Sequence, residues 1–312
     1  MKYTENLYKG LKRENALAFA IRDAQSEYKS GYVICGKEPY YHYLSNDDWE
    51  KFLTSMSQLH KAQYKDADGG ELKEKNSRYG MLPPKMASFA SSSRFIYEYS
   101  KSITGFCFEK QLPTRVGHTA NLDGFLFVDG FDVFIEAKCK EIYSSHLNQS
   151  VSIVYQDVYD YIHGKNNRFS YRKGEPILDD NEHFNCTFLW DGNEICHFDV
   201  KQLICHFLGI CANIIENESN PNVRFIYLLF NPNINTDFTY IETKIKDAKK
   251  KIIEVYDRTR EEINSFGDFK WLFDTIMEYQ SRLKPDKKLS VCKFSFELLD
   301  QSQYRDTFDI DL

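Results

Sequence analysis

The stretch "ANLDGFLFVDGFDVFIEAKCKE", residues 120–141, decides the fold of this protein. Apolar side chains recur along it at every second position, which is typical of a β-strand with one buried face. Asp129-Gly130 interrupts the alternation and is a strong signal for a two-residue type I′ turn. The stretch is therefore predicted to be a β-hairpin in which Phe125 faces Phe134.

The two faces of this hairpin are predicted to differ in character. The same register places Asp123 opposite Glu136 and Asn121 opposite Lys138 on one face. The other face is wholly apolar and comprises Leu122, Gly124, Leu126, Val128, Val133, Ile135 and Ala137. Directly opposed carboxylates have Cβ atoms about 5 Å apart and repel each other, so something should compensate their charge.

A divalent cation is the economical compensation for this pair of carboxylates. Oxygen ligands at such a separation suit Mg²⁺ or Mn²⁺, which keep several bound waters. Lys138 on the same face could hold or deprotonate one of those waters, because an ammonium group beside a bound cation loses its proton more easily. The alternative is a surface hairpin whose polar edge is simply exposed.

The spacing Asp-x12-Glu-Ala-Lys, formed by Asp123, Glu136, Ala137 and Lys138, lies on a hairpin between predicted helices and resembles the PD-(D/E)xK nuclease superfamily, with its restriction-endonuclease-like fold. The resemblance covers roughly residues 86–232. It implies that Asp123, Glu136 and the Ala137 carbonyl bind Mg²⁺ or Mn²⁺, and that Lys138 assists the attacking water. It also implies cleavage of a phosphodiester bond in DNA. The proline that the family carries before the aspartate is replaced here by leucine.

A further acidic residue is expected on the helix predicted over 86–104, since many members of the superfamily carry one there. Glu98 is the candidate, because the residues on its helix face are small enough to approach a site. The alternative is an exposed pair between Glu98 and Arg94. Glu109, on the following strand, is a weaker candidate for the same role.

The helix predicted to begin at Asp199, "DVKQLICHFLGI", carries polar residues on one stripe of an otherwise apolar surface. Asp199, Gln202, His206 and Gly209 share that stripe at 100° per residue. Their spacing also resembles poorly characterised bacterial proteins classed as restriction endonucleases, and the family often aims a Gln or Lys from this helix at its site. Gln202 is therefore predicted to lie at the site, with His206 as a second candidate. The alternatives are a capping pair of Asp199 with Gln202 and a satisfied buried His206.

The order of predicted elements indicates an α/β fold with a central mixed β-sheet flanked by helices. Three regions are expected: a helical N-terminal region (1–84), a nuclease core (85–235) with an insertion at 142–197, and a C-terminal helical extension with a final strand (236–312). The predicted helices cover 5–29, 47–64, 86–104, 150–163, 198–216 (capped by Asp199), 241–265 and 268–283. The predicted strands cover 106–112, 120–128, 131–140, 223–230 and 288–298, with a hairpin at Asp191-Gly192.

The charge of the chain, −6 at pH 7 with a pI near 5.8, argues against broad electrostatic binding of nucleic acid. DNA contacts would therefore be local. The candidate contacts are Lys244, Lys246, Lys249, Lys250, Lys251, Arg258 and Arg260 on one helix, and Lys165, Arg168, Arg172 and Lys173 in the insertion. The alternative for each group is an ordinary solvated surface.

The eight cysteines show no secreted disulfide framework, and the N-terminus has no apolar signal core. No apolar run approaches the roughly 20 residues that span a bilayer, so a reduced cytoplasmic setting without membrane contact is expected. His183, Cys186, Cys196 and His197 raise the question of zinc. They flank a predicted hairpin and lack a paired CxxC, so core or satisfied residues are the simpler interpretation.

The leading functional hypothesis is a Mg²⁺-dependent endonuclease of restriction or defence type that acts on double-stranded DNA. A homodimer would place one site at each strand. The alternatives are a catalytically inactive nuclease-fold module that binds nucleic acid and a nuclease directed at RNA. Other hydrolases are disfavoured, because the chain has no GxSxG elbow, Walker loop or HExxH helix.

Overall fold

A computed structural model describes most of the chain. The described residues are 33–35, 38–40, 44, 46–67, 70–77, 80–88, 91–139, 141–143, 145–177, 180–218, 221–231, 242–286 and 293–310. The helix expected over 5–29 lies outside them. Within the described ranges, none of the helices combines the length and the apolar character needed to cross a bilayer.

The strands, in chain order, are β1 (Val33–Cys35), β2 (Glu38–Tyr40), β3 (Lys75–Ser77), β4 (Gly80–Leu82), β5 (Cys107–Pro113), β6 (Thr119–Val128), β7 (Phe131–Lys138), β8 (Gln149–Ser152), β9 (Phe169–Ile177), β10 (Asp180–Trp190), β11 (Asn193–Glu194), β12 (Asn222–Leu229) and β13 (Lys293–Asp300). The helices are α1 (Asn46–Ser55), α2 (Gln58–Asp66), α3 (Ser92–Ser100), α4 (Gln156–Lys165), α5 (Val200–Glu216), α6 (Glu242–Ser265), α7 (Lys270–Arg282) and α8 (Gln301–Phe308). Short 3₁₀ turns occupy Lys85–Ala87, Glu141–Tyr143 and Ile153–Tyr155.

A mixed β-sheet of five strands forms the centre of the molecule, in the order β13-β12-β7-β6-β5. Strands β5, β6 and β7 are antiparallel neighbours, whereas β12 runs parallel to both β7 and β13. Helices α3, α5 and α7 pack against this sheet. The chain is thus α/β, with a mixed central sheet flanked by helices.

The hairpin of β6 and β7 is formed as predicted. Asp129 and Gly130 both have positive φ, at 53° and 77°, which is the conformation that a type I′ turn requires. Phe125 pairs with Phe134, and their ring centroids lie 5.1 Å apart. The β7 residues from Val133 to Lys138 are all buried. The alternative of a surface hairpin with an exposed polar edge is therefore wrong for this strand.

Burial of β7 follows from its place between β6 and β12. The strand predicted over 223–230 as fully buried corresponds to β12, which is buried continuously from Phe225 to Leu229. Its parallel register sets Tyr227 beside Glu136 and Leu229 beside Lys138. Helix α5 makes the connection towards β12, because parallel neighbours need a crossover segment between them.

Helix α5 lies unusually close to the sheet at Gly209. A Cβ atom at this position would stand 2.7 Å from the Ala120 Cβ and 2.9 Å from the Leu112 Cβ. Both separations are shorter than real Cβ contacts, so glycine is required by packing and not by backbone conformation. The close approach brings the polar stripe of α5 to the end of β7.

Gly209→Ala is expected to destabilise the protein in spite of the better helix propensity of alanine. Overpacking of this kind costs about 1–3 kcal/mol and should lower the melting temperature by about 2–10 °C. The matched control is Gly164→Ala in α4, where a new Cβ would meet no atom within 4 Å. Thermal unfolding would contradict this account of α5 packing if both variants melted at or above the wild-type temperature.

The insertion differs from its prediction in two respects. The helix expected over 150–163 is preceded by strand β8, and α4 itself begins only at Gln156. No strand is predicted between the helix over 150–163 and the hairpin at Asp191-Gly192, but the structure forms β9 and β10 there, which pair from Phe169 opposite Trp190 onwards. Strand β9 has a run of exposed residues from Arg172 to Gly174, so the alternation that marks a strand in sequence is missing there. The hairpin at Asp191-Gly192 is confirmed by two positive φ angles.

The N-terminal helices share the central core. The helix predicted over 47–64 is divided into α1 and α2, because Ser57 caps the second helix by accepting a hydrogen bond from the His60 N–H. Rings of Tyr64 and Phe108 stack at 5.4 Å, across the boundary expected between residues 84 and 85. On the C-terminal side, β13 pairs with β12 as an edge strand of the same sheet. Its described part, Lys293–Asp300, overlaps the strand predicted over 288–298, and α8 follows it.

Candidate active site

The charged end of the hairpin lies at the C-terminal ends of the parallel neighbours β7 and β12. Asp123 Oδ2 accepts a hydrogen bond of 2.7 Å from the Ala137 N–H. The antiparallel register of the hairpin runs up to Gly124 opposite Ile135, so this side-chain bond joins the strands at the next position. Asp123 is thereby held against the strand that carries Glu136, as the sequence predicted.

Glu136 and Lys138 form a buried ion pair. Lys138 Nζ lies 2.6 Å from Glu136 Oε1, and the two residues are only 5 % and 2 % exposed. Lys138 also donates a hydrogen bond to Gln202 Oε1 at the start of α5. A buried pair is costly unless its remaining polar atoms are satisfied, and Gln202 satisfies one of them. The structure therefore places Gln202 beside Lys138.

His206 reaches the other oxygen of the same carboxylate. Its Nε2 lies 2.9 Å from Glu136 Oε2, outside good hydrogen-bond geometry, and the residue is 2 % exposed. Asp199 caps α5 about two turns before His206, by accepting a hydrogen bond from the Gln202 N–H at 3.0 Å. Gln202 thus takes part in the helix cap through its backbone N–H and contacts Lys138 through its side chain. The capping interpretation and the site interpretation of this residue are therefore compatible.

The charge states of Glu136 and Lys138 depend on each other. Burial alone would raise the pKa of Glu136, but Lys138 and His206 together lower the pKa to about 2. Burial alone would lower the pKa of Lys138, but the Glu136 carboxylate raises the pKa well above its ordinary value. Lys138 is therefore an ammonium group at neutral pH in this arrangement. It is suited to donate hydrogen bonds, and less suited to deprotonate water.

Asp123 has the opposite tendency. Burial, followed by the carboxylates of Glu136 and Glu109, raises the pKa of Asp123 well above its ordinary value. The side chain is nevertheless partly exposed. A carboxylate that is densely surrounded by protein and still accessible lies in a concave surface. Acidic side chains placed close together favour the binding of a proton or of a cation between them.

Glu109 faces Asp123 from strand β5. The register pairs on either side of it are Phe108 with Gly124 and Lys110 with Leu122. Glu109 itself has a φ of 53°, which is uncommon for a residue other than glycine within a strand. Its Oε1 is buried without a hydrogen-bond partner in the described part of the chain. Strain and an unsatisfied carboxylate oxygen are both typical of functional sites.

The acidic residue favoured on α3 is placed differently. Glu98 Oε2 accepts a hydrogen bond of 2.7 Å from Lys101, three residues later on the chain. Arg94, its expected partner in the alternative, is fully buried and lies over the Phe52 ring at 5.2 Å. Participation of Glu98 in the site stays a prediction, whereas Glu109 adds, after burial and Glu136, to the rise in the pKa of Asp123.

Glu109 gives the site a measurable pH dependence. Burial and the nearby Glu71 raise the pKa of Glu109 from 4.5 to about 8, so the native state keeps a proton that the unfolded chain loses. The stabilising contribution is fully present below pH 4.5 and is lost as the pH rises to about 8. We expect Glu109→Gln to gain stability relative to the wild type as the pH rises through this window.

Thermal unfolding near both ends of the window measures this effect. The difference in melting temperature between Glu109→Gln and the wild type should become more favourable to the variant at about pH 8 than at about pH 5. Other titrating groups cancel in the difference. Glu98→Gln, which removes a carboxylate that is paired with Lys101, serves as the control. An equal difference at both pH values would show that Glu109 is ionised in the native state.

The donor set at this site is chemically suited to a hard divalent cation. Asp123, Glu136 and the Ala137 carbonyl offer oxygen atoms only, which Mg²⁺ and Mn²⁺ prefer. The described residues contain no group of three or more His, Cys, Asp or Glu side chains placed to hold a metal ion. A cation here would thus rely on two carboxylates, a backbone carbonyl and water. Glu136 would have to loosen its contact with Lys138 or His206.

The residues considered for zinc have other partners. The backbone N–H groups of Cys196 and His197 donate hydrogen bonds to the Glu262 carboxylate, at 3.0 and 2.7 Å. Cys186 is buried on β10, opposite Gln149 of β8. These contacts agree with the interpretation of the cysteines and histidines as core or satisfied residues.

The basic residues of the insertion are engaged within the protein. Lys165 pairs with Glu278 at 2.9 Å and Arg168 pairs with Asp191 at 2.5 Å. The remaining two are Arg172, which pairs with Glu194 at 2.9 Å, and Lys173, which donates to Gln156 at 2.9 Å. On α6, the side chains of Lys244, Lys246, Lys249 and Lys251 lie outside the description, and Lys250 lies 3.9 Å from Glu254. Contact of either group with DNA stays a prediction.

The site as a whole joins three elements: β6 with Asp123, β7 with Glu136 and Lys138, and α5 with Gln202 and His206. Strand β5 adds a further carboxylate beside them. Comparison of the chain with protein-family models, curated proteins and solved structures finds no match. The function is therefore inferred from the geometry of the site.

Proposed function

We propose that this protein is a metal-dependent endonuclease that hydrolyses phosphodiester bonds in DNA. The observation that carries the proposal is the buried pair of Glu136 and Lys138 beside the partly exposed Asp123, at the C-terminal ends of β7 and β12. Charged groups are rarely buried without need, and perturbed pKa values in a concave surface are typical of functional sites. The arrangement also agrees with the PD-(D/E)xK pattern that the sequence resembles.

Each residue has a role in this proposal. Asp123, Glu136 and the Ala137 carbonyl hold Mg²⁺ or Mn²⁺. A bound ion of this kind supplies neutralisation of charge on the scissile phosphate and a lowered pKa for water. Lys138 donates hydrogen bonds that orient the attacking water, and Gln202 positions the Lys138 ammonium group. His206 restrains the Glu136 carboxylate from the opposite side.

The choice of DNA as substrate and of a restriction or defence role rests on the resemblance. A homodimer would present one site to each strand of a duplex. An RNA-directed nuclease would use the same residues, and only a comparison of substrates separates the two.

A second candidate function is a nuclease-fold module that binds nucleic acid without cleaving it. The observation in its favour is that both oxygens of Glu136 already have cationic or imidazole neighbours, Lys138 and His206. A carboxylate held in this way would bind a metal ion only after one neighbour moved.

A nicking assay tests the leading proposal. Supercoiled plasmid DNA and a structured RNA are incubated with the protein in Mg²⁺, in Mn²⁺ or in EDTA. We expect nicking of DNA that requires metal and that exceeds cleavage of RNA by at least about tenfold. Glu136→Gln, purified in the same way, guards against a contaminating nuclease. Binding of DNA without metal-dependent nicking would instead favour the binding module.

A further inference from the structure

A cavity of about 430 Å³ lies where the insertion meets the start of α5. Its wall includes Ser150 and Ser152 from β8 and Gln202 from α5. Gln202 also accepts the hydrogen bond from Lys138, so the cavity adjoins the proposed catalytic site. We name this space the insertion cavity. Its volume is within the range of cavities that hold small organic groups.

An aromatic platform forms one side of the insertion cavity. The rings of His118 and Tyr155 are stacked, with centroids 5.5 Å apart and planes only 6° from parallel. Tyr155 is buried, whereas His118 is exposed. His118 therefore has accessible surface for contact with a further planar group. Stacking on such side chains is a common way in which proteins hold nucleic-acid bases.

The polar groups of the cavity favour a neutral, hydrogen-bonding occupant over an anion. Lys201 Nζ donates to the Ser150 carbonyl at 2.8 Å, so one of its N–H groups is already used within the protein. The Asp199 carboxylate is also part of the wall and would repel a phosphate. The Ser150 and Ser152 hydroxyls and the Gln202 amide can donate or accept hydrogen bonds. A nucleobase matches this combination, because it is planar, neutral and bears both donors and acceptors.

Two exposed apolar side chains lie in the sequence between residues that line the insertion cavity. Ile153 and Val154 are 48 % and 45 % exposed, and they follow Ser152 and precede Tyr155, which both line the cavity. Apolar side chains inserted between base steps unstack a duplex. Enzymes that extrude a base also need a pocket that receives it. Here Ile153 and Val154 stand directly between Ser152 and Tyr155 in the sequence, and those two residues line the pocket.

We propose that the insertion cavity receives one nucleobase that is extruded from the DNA duplex next to the scissile phosphate, while Ile153 and Val154 enter the stack in its place. This inference rests on the proposed function in assuming that nucleic acid is the substrate. It does not require cleavage. Binding and extrusion can therefore succeed or fail separately from catalysis.

Binding of mononucleotides tests the cavity itself. Deoxynucleoside 5′-monophosphates are titrated into the full chain by calorimetry, with deoxyribose 5-phosphate as the probe that lacks a base. We expect at least one nucleotide to bind at least about tenfold more tightly than the sugar phosphate. His118→Ala should weaken this binding about tenfold through loss of stacking. His163→Ala, in helix α4 of the insertion and outside the cavity lining, should leave nucleotide binding unchanged.

Fluorescence of 2-aminopurine tests extrusion. A duplex with one mismatched 2-aminopurine, whose extrusion is easiest, is saturated with protein in EDTA, so that cleavage does not intervene. We expect a several-fold rise in fluorescence for the wild type. The double variant Ile153→Ser/Val154→Ser should lose this rise and keep mononucleotide binding. Leu283→Ser removes another exposed apolar side chain, 43 % exposed, and should keep both.

The outcomes separate this inference from the proposed function. Equal binding of nucleotides and sugar phosphate, or no effect of His118→Ala, would overturn the base pocket. A bound duplex without a fluorescence change would overturn extrusion. A protein that extrudes a base but never nicks DNA in Mg²⁺ would retain the inference and lose the endonuclease. A protein that nicks DNA but binds no nucleotide would retain the endonuclease and lose the inference of a base pocket.

Discussion

Asp123→Asn is expected to abolish DNA cleavage and to raise the melting temperature of the protein. Burial, the Glu136 carboxylate and Glu109 raise the pKa of Asp123 well above its ordinary value, so an ionised Asp123 is disfavoured in the native state. An asparagine side chain carries no charge, and its carbonyl can still accept the hydrogen bond from the Ala137 N–H. The variant should be stabilised by about 1 kcal/mol, which corresponds to about 2–4 °C.

The loss of activity has a separate cause. Asparagine supplies no negative charge to a divalent cation, so the site loses one of its two carboxylate ligands. We expect cleavage to fall by at least about 10²–10³-fold, as when one electrostatic group is removed from an active site. Plasmid nicking and thermal unfolding of the same preparation measure both effects.

Asp129→Asn is the matched control for this substitution. It makes the same chemical change in the same hairpin, at an exposed turn residue with a φ of 53° that asparagine tolerates. Both stability and nicking should stay close to wild type. Wild-type nicking by Asp123→Asn would contradict the site assignment, and a loss of stability would contradict the like-charge account of the carboxylates.

Lys138→Met is expected to abolish cleavage and to destabilise the protein strongly. The substitution leaves the Glu136 carboxylate, 2 % exposed, without the ammonium group that lies 2.6 Å away. Removal of one partner from a buried ion pair costs about 3–5 kcal/mol, because the remaining charge is uncompensated. His206 retains its contact with the carboxylate and should limit the loss to the lower part of this range.

A double-mutant cycle measures the interaction energy of Glu136 with Lys138 apart from the effect of each single substitution. Adding Glu136→Gln to Lys138→Met should restore most of the lost stability, with a coupling of about 2 kcal/mol or more, and should restore no cleavage. Urea unfolding of the four proteins measures the coupling. Arg168→Met, which breaks the half-exposed pair with Asp191, should cost less than about 1 kcal/mol. Additive effects of the two substitutions at Glu136 and Lys138 would contradict the buried pair.

The hairpin could be predicted because its information is local. A two-residue turn at Asp129-Gly130 fixes the register of β6 against β7, and register fixes which residues face each other. The prediction of Gln202 at the site follows from the resemblance, which implies that this helix aims a polar residue at the site; helical periodicity adds that Gln202 and His206 share a stripe. Both side chains contact the predicted pair of Glu136 and Lys138.

The proximity of Glu109 to Asp123 could not be predicted, because the information that determines it is not local. The connection between β5 and β6 is longer than a two-residue turn, so the sequence does not determine which residue of β5 faces Asp123. Its left-handed backbone is likewise visible only in the folded chain. The choice of Glu98 instead followed the family pattern, and the structure pairs that residue with Lys101.

The insertion was mispredicted for a physical reason. Strand β9 exposes the consecutive residues Arg172 and Lys173, which contact Glu194 and Gln156, and a run of exposed polar residues looks like a solvated loop in sequence. The hydrophobic signal of a strand in a small, half-solvated sheet is weaker than that of β12, which is buried continuously from Phe225 to Leu229. Tertiary pairing, and not local propensity, decides such strands.

Binding of Mn²⁺ to the wild type and to Asp123→Asn, measured by calorimetry without DNA and again with a DNA duplex, tests the central claim most directly. The comparison is fair because the variant is expected to be at least as stable as the wild type. We expect saturable binding in the wild type that is weakened at least about tenfold in Asp123→Asn. Absence of binding to the wild type under both conditions, or equal binding to both proteins, would mean that the opposed carboxylates do not form a metal site.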